Sequence, residues 1–256
     1  MEPLRISKLK TEDSEEMEGP LSVEECKKAL DTFEGDKTPR EDGFTVEFYK
    51  TFFDLIGQDL VASFNAAYEV NELPTSQRRG TVTLIPKEDG SLLELQNWRP
   101  ITLLNVDCKI ATKAIAQRIE PYLPTLIHSD QTGFIKGRYI GENIRLIEDV
   151  MEYTKCIIYQ MYILDFKKAF DSLEWGYIMN ALDAFNFGTS IKRWISTFYT
   201  NIKSAAINNG FLTIWFEPSR GVRQGCPLSP FLFILSAELL ANKIRQDTKI
   251  KGIKIL

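Results

Sequence analysis

The apolar residues in the first third of the chain recur at the period of a helix. Ser22-Val-Glu-Glu25 has the composition of a capping box, and the apolar positions after it predict a helix that ends near Gly35. Residues 44–68 predict a second, longer helix. The predicted inward face of that helix consists of Phe48, Phe52, Leu55, Leu60, Phe64 and Tyr68.

Two short extended segments follow these helices. Residues 81–86 form a strand-like run that ends at a proline, and residues 98–104 form a second one after a turn at 87–90. The helical period then returns over 105–119. That helix carries Lys109, Lys113 and Arg118, which can either line a nucleic-acid backbone or form a solvated face.

The second half mixes strand-like and helical patterns. Residues 157–164 are almost continuously apolar, as expected of a strand covered on both faces. Asn208-Asn-Gly210 predicts the turn of a hairpin between 204–207 and 213–216. Further helices are predicted at about 141–153, 175–185, 190–200 and 227–244.

Composition limits the classes of protein that these elements can build. The 256 residues are 44% hydrophobic, which is too apolar for a disordered chain. The net charge of −4 is concentrated in residues 1–36, which carry −6, whereas the remainder is mildly basic at +2. Residues 1–20 are acidic and polar, and we expect them to form a flexible leader. Four widely spaced cysteines and the lack of a membrane-spanning apolar run predict an intracellular protein, either nuclear or cytoplasmic.

The segment 165–171, DFKKAFD, is the first candidate for chemistry. Asp165 follows the predicted apolar strand, so its carboxylate is expected at the rim of a sheet, where a metal ion could reach it. Phosphoryl transfer by two metal ions needs such carboxylates, and one Asp cannot hold both ions. The ring of Phe170 could pack on the sugar of a nucleotide and exclude a 2′-hydroxyl. Asp171 is interpreted as the N-cap of the next helix, with Glu174 at its third position.

The segment 220–233, RGVRQGCPLSPFLF, is the second candidate. Gly221 and Gly225 allow backbone geometry or a close approach that other residues resist. Gln224 carries an amide that can both donate to and accept from a base or sugar edge. Pro227 suits the first turn of an apolar helix.

Two cations of the first half suit a triphosphate. Lys87 ends the first predicted strand and Arg99 lies on the returning one, so both belong to one turn unit. Arg offers a bidentate fork to phosphate, and Lys offers a point charge. Solvated turn charges are the alternative interpretation.

The order of these segments resembles the reverse transcriptase of LINE-type (non-long-terminal-repeat) retrotransposons. LSVEECKKALDTF and DGFTVEFYKTFF resemble its N-terminal extension, and TLIPKEDG, NWRPITLLNVDCKIATKAIAQRI and HSDQTGFIKGRYIGENI resemble its finger motifs. YILDFKKAFDSLEW resembles motif A, and GVRQGCPLSPFLFILSAELL resembles motif B. The resemblance covers nearly the whole chain from about Leu21.

The resemblance implies an α+β fold of the right-hand polymerase type, with an N-terminal extension and fingers in residues 21–150 and a partial palm in 151–256. It implies an RNA-directed DNA polymerase that extends a DNA primer on an RNA template from deoxynucleoside triphosphates, with Mg²⁺ or Mn²⁺ as cofactor. The implied metal ligands are the Asp165 carboxylate and the Phe166 backbone carbonyl. The implied nucleotide-binding residues are Lys87, Arg99, Phe170, Gln224 and Gly225. Weaker nucleic-acid contacts are expected from Lys109, Lys113, Arg118 and Arg223.

Departures from the family pattern leave alternatives open. Residues 37–43, KTPREDG, have Arg40 where the family commonly has glycine. Residues 251–256 resemble the strand that leads into the family's aromatic-x-Asp-Asp motif C, so we expect the chain to end before motif C and before the thumb. This favours a chain that is inactive alone. The alternatives are a non-catalytic remnant that at most binds nucleic acid, and a reverse transcriptase related to group II intron maturases.

Overall fold

The longer helices and the strands near residues 81–86 and 98–104 follow one another in the order that the apolar pattern predicts, and short α-helices that it did not predict lie among them. The computed structural model describes residues 5–87, 92–154 and 165–250. The helices are α1 Thr11–Glu16, α2 Val23–Asp31, α3 Val46–Val70, α4 Thr75–Arg78, α5 Val106–Ile119, α6 Leu123–Leu126, α7 Ile140–Thr154, α8 Trp175–Ala184, α9 Thr189–Tyr199 and α10 Ser229–Gln246. The strands are β1 Arg79–Pro86, β2 Trp98–Leu104, β3 Lys203–Asn208 and β4 Phe211–Leu212.

The four strands form one mixed sheet in the order β2-β1-β3-β4. β1 and β2 pair antiparallel from Gly80 opposite Leu104 to Pro86 opposite Trp98. On its other edge, β1 pairs in parallel with β3. The sheet therefore joins strands from both sides of residue 150, where the sequence placed the boundary between fingers and palm.

The hairpin between β3 and β4 has the turn that its sequence predicts. Asn209 and Gly210 have φ values of 49° and 80°, the left-handed conformations that a two-residue type I′ turn requires. The second strand, however, begins directly after the turn, with Asn208 opposite Phe211. The predicted segment 213–216 contributes an isolated bridge from Phe216 to Ser204.

Helix α5 lies at the centre of the N-terminal helices and buries ten of its fourteen residues. Helix α3 begins at Val46 with Thr45 as N-cap, because the Thr45 side chain accepts a hydrogen bond from the Phe48 amide. Its predicted inward face is confirmed at Phe64, which is buried, and at Phe48, Leu60 and Tyr68, which are partly buried against the core. The prediction is wrong at Phe52 and Leu55. The buried face includes Tyr49, Phe53, Val61 and Phe64, whereas Phe52 and Leu55 are exposed.

The acidic leader packs against the rest of the chain, which differs from the flexible leader expected from its composition. Leu9 and Met17 are buried, and the Leu9 amide donates a 3.0 Å hydrogen bond to the Phe185 carbonyl. The Glu18 carboxylate accepts hydrogen bonds from the Ser190 amide at 2.8 and 3.0 Å. Two apolar anchors and a cap for α9 thus hold the leader in place despite its charge.

Two sequence predictions lie outside the described residues: the strand at 157–164 and the strand-like segment at 251–256. Among the helices that the structure describes, none combines the length and the apolar character needed to cross a membrane.

Candidate functional site

A cavity of about 350 Å³ opens where the β1–β2 hairpin, the turn at 165–174 and the loop at 220–228 meet. Four residues that the sequence assigned to nucleotide binding line it together: Lys87, Arg99, Phe170 and Gln224. The other lining residues are Gln96, Trp98, Pro100, Phe134, Lys168, Ala169 and Asp171.

The β1–β2 register places the two predicted triphosphate ligands at one end of the hairpin. Ile85 lies opposite Arg99, and the Lys87 amide donates a 2.8 Å hydrogen bond to the Asn97 carbonyl just beyond the last strand pair. Both cationic side chains are exposed. They can therefore turn to an anion in the cavity without first breaking a buried contact.

Backbone hydrogen bonds join the 165–174 turn to the 220–228 loop. The Val222 amide donates to the Phe170 carbonyl, and the Gly221 amide donates to the Leu173 carbonyl, both at 2.8 Å. Gly221 has φ +92°, and a Cβ there would lie 3.0 Å from the Asp171 carbonyl oxygen. Only glycine satisfies both the left-handed conformation and this close approach.

The loop is also held against β2. The Thr102 amide donates a 2.7 Å hydrogen bond to the Gln224 carbonyl oxygen. Gly225 has φ +115°, and a Cβ there would lie 2.6 Å from the Thr102 carbonyl oxygen. The close approach of the loop to β2 thus explains why residue 225 is glycine. The expected contact of Gly225 with the template stays a prediction.

Phe170 forms one wall of the cavity. Its half-buried ring packs on Phe233 of α10, with ring centroids 5.3 Å apart and an interplanar angle of 37°. Phe233 also meets the exposed ring of Phe166 edge-on at 6.2 Å. This aromatic contact fixes the position of Phe170 relative to α10.

Asp165 is exposed at the start of the turn and is not among the residues that line the cavity. Its carboxylate is a hard oxygen ligand that suits Mg²⁺ or Mn²⁺. Within residues 5–87, 92–154 and 165–250, no group of three or more His, Cys, Asp or Glu side chains could hold a metal ion. The described part of the chain therefore offers Asp165 as its candidate carboxylate ligand and does not by itself fit a two-metal site.

Asp171 has a different place from the one predicted. Helix α8 begins at Trp175, and its N-cap is Glu174, which makes no capping hydrogen bond through its side chain. The interpretation of Asp171 as the cap is therefore wrong, because the turn continues past it before the helix starts. Asp171 instead lies on the cavity wall, where desolvation raises the pKa of its carboxyl against the opposing effect of Lys168.

Among the weaker basic candidates, Arg118 lies on the opposite side of α5 from Lys109. Arg118 is nine residues after Lys109 on α5, half a helical turn round the axis, so the two face opposite directions. Arg118 binds the Glu25 carboxylate and the carbonyls of Met17, Gly19 and Pro20. Lys113 is half-buried on the same helix.

Lys109 and Arg223 also have intramolecular surroundings. Lys109 lines a second cavity of about 300 Å³ together with Lys37 and Arg40. Desolvation, and then the charge of Arg40, lower the pKa of the Lys109 ammonium. Arg223 is buried and donates to the Arg78 carbonyl. Nucleic-acid contacts by these residues stay predictions.

Sequence reasoning missed several residues of the cavity wall. Trp98 precedes Arg99 at the start of β2, and Lys168 lies within the DFKKAFD segment, so proximity to predicted residues was a usable signal for both. Phe134 lies in a loop more than thirty residues from any residue predicted to bind metal or nucleotide. The usable signal for it was its segment, HSDQTGFIKGRYIGENI, which resembles a finger motif of the family.

Most of the chain is similar to proteins of known family. The profile of the family "Reverse transcriptase (RNA-dependent DNA polymerase)" matches residues 85–256. The chain is 37% identical over 88% of its length to the "Transposon TX1 uncharacterized 149 kDa protein" of Xenopus laevis, of which it covers 17%. It is 29% identical over 81% of its length to the "Retrovirus-related Pol polyprotein from type-1 retrotransposable element R2" of Nasonia vitripennis, of which it covers 20%.

A further relative is the "Putative 115 kDa protein in type-1 retrotransposable element R1DM" of Drosophila melanogaster. The chain is 24% identical to it over 90% of its own length and covers 23% of that protein. The chain thus spans about a fifth of the length of these relatives.

Proposed function

The chain belongs to the reverse transcriptase (RNA-dependent DNA polymerase) family, as a domain of the LINE-type retrotransposon group, and from this premise we propose that its 350 Å³ cavity binds the incoming deoxynucleoside triphosphate. Reverse transcriptases act on nucleic-acid and nucleotide substrates and use divalent metal ions. The finer assignment to this cavity, and to an RNA template with a DNA primer, is the proposal.

One observation carries it: Lys87 and Arg99 of the β1–β2 hairpin, Phe170 of the 165–174 turn and Gln224 of the 220–228 loop line the same cavity. The sequence assigns these two cations, the aromatic ring and the amide to one nucleotide, and the fold brings all four to one cavity. The arrangement also has a chemical logic, because each residue type matches a different part of a nucleotide.

In the proposed complex, Lys87 and Arg99 bind the triphosphate, Arg99 through its guanidinium fork. The ring of Phe170 contacts the sugar and leaves no space for a 2′-hydroxyl. Gln224 lies where its amide can donate to and accept from the nascent base pair. Together these contacts orient the α-phosphate toward the 3′-hydroxyl of a primer, and such positioning is a large part of catalysis in phosphoryl transfer.

Mg²⁺ or Mn²⁺ is the proposed cofactor of the domain, with the Asp165 carboxylate and the Phe166 carbonyl as ligands. A divalent ion, when bound, would neutralise charge on the phosphate oxygens. Asp165 is exposed and therefore accessible to such an ion.

Nucleotide binding tests the proposal directly. Trp98 lines the cavity, so a bound nucleotide should change its fluorescence, and Trp98→Phe would identify that signal. We expect Lys87→Ala and Arg99→Ala each to weaken deoxynucleoside triphosphate binding by about ten-fold, the loss of a charged contact of roughly 1.4 kcal/mol. Lys28→Ala, which removes an exposed cation from α2, is the matched control. Unchanged affinity in both cavity variants would refute the assignment.

Primer extension on an RNA template tests catalysis separately. Extension with Mg²⁺ or Mn²⁺ that is lost in Asp165→Ala would support nucleotidyl transfer through that carboxylate. Nucleotide binding without extension would identify this chain as a binding fragment of the domain. The second result corresponds to the non-catalytic alternative and leaves the cavity assignment intact.

A further inference from the structure

Phe134 combines two features that are unusual in the same residue. Its φ is +62°, in the left-handed region, and its large side chain is 59% exposed. For a bulky residue a left-handed conformation costs about 1–2 kcal/mol. An exposed ring recovers little of this cost through burial, so core packing does not explain why phenylalanine occupies the position.

The loop around Phe134 is firmly held. The Arg138 guanidinium donates four hydrogen bonds, to the carbonyls of Pro124, Ile127, His128 and Gln131, at 2.6–3.0 Å. Ile135, next to Phe134, is buried with 4% exposure. The structure around the loop therefore determines the backbone of Phe134 and fixes where its ring lies.

The ring lies on the wall of the nucleotide cavity. Phe134 lines it together with the cations Lys87, Arg99 and Lys168 and with Phe170. An aromatic side chain has no group that binds phosphate, and the face of its ring is electronegative. A nucleobase is the part of a nucleotide that such a ring attracts, because every base has a π-face to stack on it.

We propose that Phe134 is a base-stacking residue of this site, so that a nucleobase in the cavity stacks on its ring. The inference rests on the proposed nucleotide-binding function and adds a specificity-determining contact to it. Backbone conformation held at a cost, next to a binding cavity, is how proteins commonly pre-organise a recognition group. The base belongs either to the incoming nucleotide or to the template strand.

Binding of dATP compared with inorganic tripolyphosphate isolates the base. Calorimetry with Mg²⁺ present should show Phe134→Ala weakening dATP binding by about five-fold or more, the range of a lost base–aromatic stack, and leaving tripolyphosphate binding within about two-fold of wild type. Phe134→Tyr keeps the ring and should bind dATP as wild type does. Tyr139→Ala is the matched control, since Tyr139 is 71% exposed just beyond the loop and does not line the cavity.

Phe134→Asn separates stacking from folding. Asparagine tolerates the left-handed conformation, so this variant should melt at or above the wild-type temperature and still lose dATP affinity. If both the Ala and the Asn variants melt at lower temperature, and their unfolded fraction fully explains the lost dATP affinity, the proposal is overturned.

An oligoadenylate RNA in place of dATP distinguishes the two sources of the base. Weakened dATP binding assigns the stack to the incoming nucleotide, and weakened binding of the RNA alone assigns it to the template. If Phe134→Ala and Phe134→Asn bind both ligands as wild type does, the inference is wrong. If the Phe134 variants bind both ligands as wild type does while Lys87→Ala weakens dATP binding, the proposed nucleotide site is supported but Phe134 is not part of it. A wild-type chain that binds neither ligand refutes both.

Discussion

The backbone amide of Thr102 donates a 2.7 Å hydrogen bond to the carbonyl oxygen of Gln224, which ties the loop before α10 to a strand more than one hundred residues earlier in the chain. Gln224 lines the cavity while its backbone is held by β2. The position of the Gln224 side-chain amide therefore depends on how closely this loop can approach β2.

Gly225→Ala should disturb that approach. Its Cβ would lie 2.6 Å from the Thr102 carbonyl oxygen, at a φ of +115°. We expect a loss of about 3 kcal/mol in the free energy of unfolding, from backbone strain and the clash together, and weaker nucleotide binding because Gln224 is displaced. Urea unfolding and nucleotide titration measure the two effects.

Gly210→Ala is the control for this prediction. Gly210 also has a left-handed conformation, with φ +80°, but nothing lies within 4 Å of the added methyl group. It should cost about 1 kcal/mol and leave nucleotide affinity unchanged. Equal losses in the two variants would show that the contact with Thr102 contributes nothing.

Phe170→Ala should reduce discrimination between deoxyribonucleotides and ribonucleotides. The ring of Phe170 forms the cavity wall, and its removal opens space for a 2′-hydroxyl. We expect the affinity ratio of dATP to ATP to fall by about ten-fold, the scale on which a pocket discriminates by size. A ratio measured within one protein is insensitive to partial unfolding. Phe211→Ala, at the 79% exposed hairpin tip, should leave the ratio unchanged.

Local sequence patterns predicted many of the helices and strands, because apolar runs, turns and capping boxes act over only a few residues. Strand β2 has the bounds that its apolar run and flanking turn indicate, and Ser22 caps α2 through the capping box that its spacing predicts. The inward face of α3 was predicted correctly in its second half, at Phe64, but not in its first half, where Phe48 and Tyr49, and then Phe52 and Phe53, are adjacent aromatic residues. When both residues of such a pair are aromatic, hydrophobicity alone does not determine which of them is buried.

Long-range contacts were beyond those patterns. The parallel pairing of β1 with β3 joins strands separated by more than one hundred residues, and neither strand carries a local mark of its partner. The same holds for the site: the resemblance supplied Lys87, Arg99, Phe170 and Gln224, but Phe134 and Asp171 reach the cavity only through loop geometry.

The docked leader predicts a large effect of Met17→Ala. Met17 lies in an acidic, polar segment, yet its side chain is only 1% exposed within the hydrophobic core. Truncation should lower the free energy of unfolding by about 2–5 kcal/mol through lost burial and the remaining cavity. Met151→Ala, at a position with 48% exposure on α7, should change it by less than about 1 kcal/mol. Similar small effects in both would mean that the leader is not docked in solution.

The ion pair between Glu25 and Arg118 predicts a defined loss of stability in acid. Both guanidinium nitrogens facing Glu25 donate to it, Nε to Oε1 at 2.6 Å and Nη2 to Oε2 at 2.8 Å, and the Ser22 amide also donates to Oε2. Burial acts to raise the pKa of the Glu25 carboxyl, but the hydrogen bond from Arg118, the contacts with Ser22 and the charge of Arg118 together hold that pKa below its usual value of 4.5.

A carboxyl whose pKa is lower in the folded than in the unfolded state stabilises the fold at pH values above the unfolded pKa. This stabilisation disappears as the pH falls through the folded pKa. Glu25→Gln should therefore cost about 1–3 kcal/mol at pH 7, and the difference from wild type should shrink steadily below about pH 4.5. Urea unfolding between pH 7 and pH 3 measures it. Glu24→Gln makes the same charge change at an exposed neighbour in the same helical turn and should show no such pH dependence. A Glu25→Gln difference that stays constant across this range would mean that packing, rather than the charge of Glu25, sustains the contact.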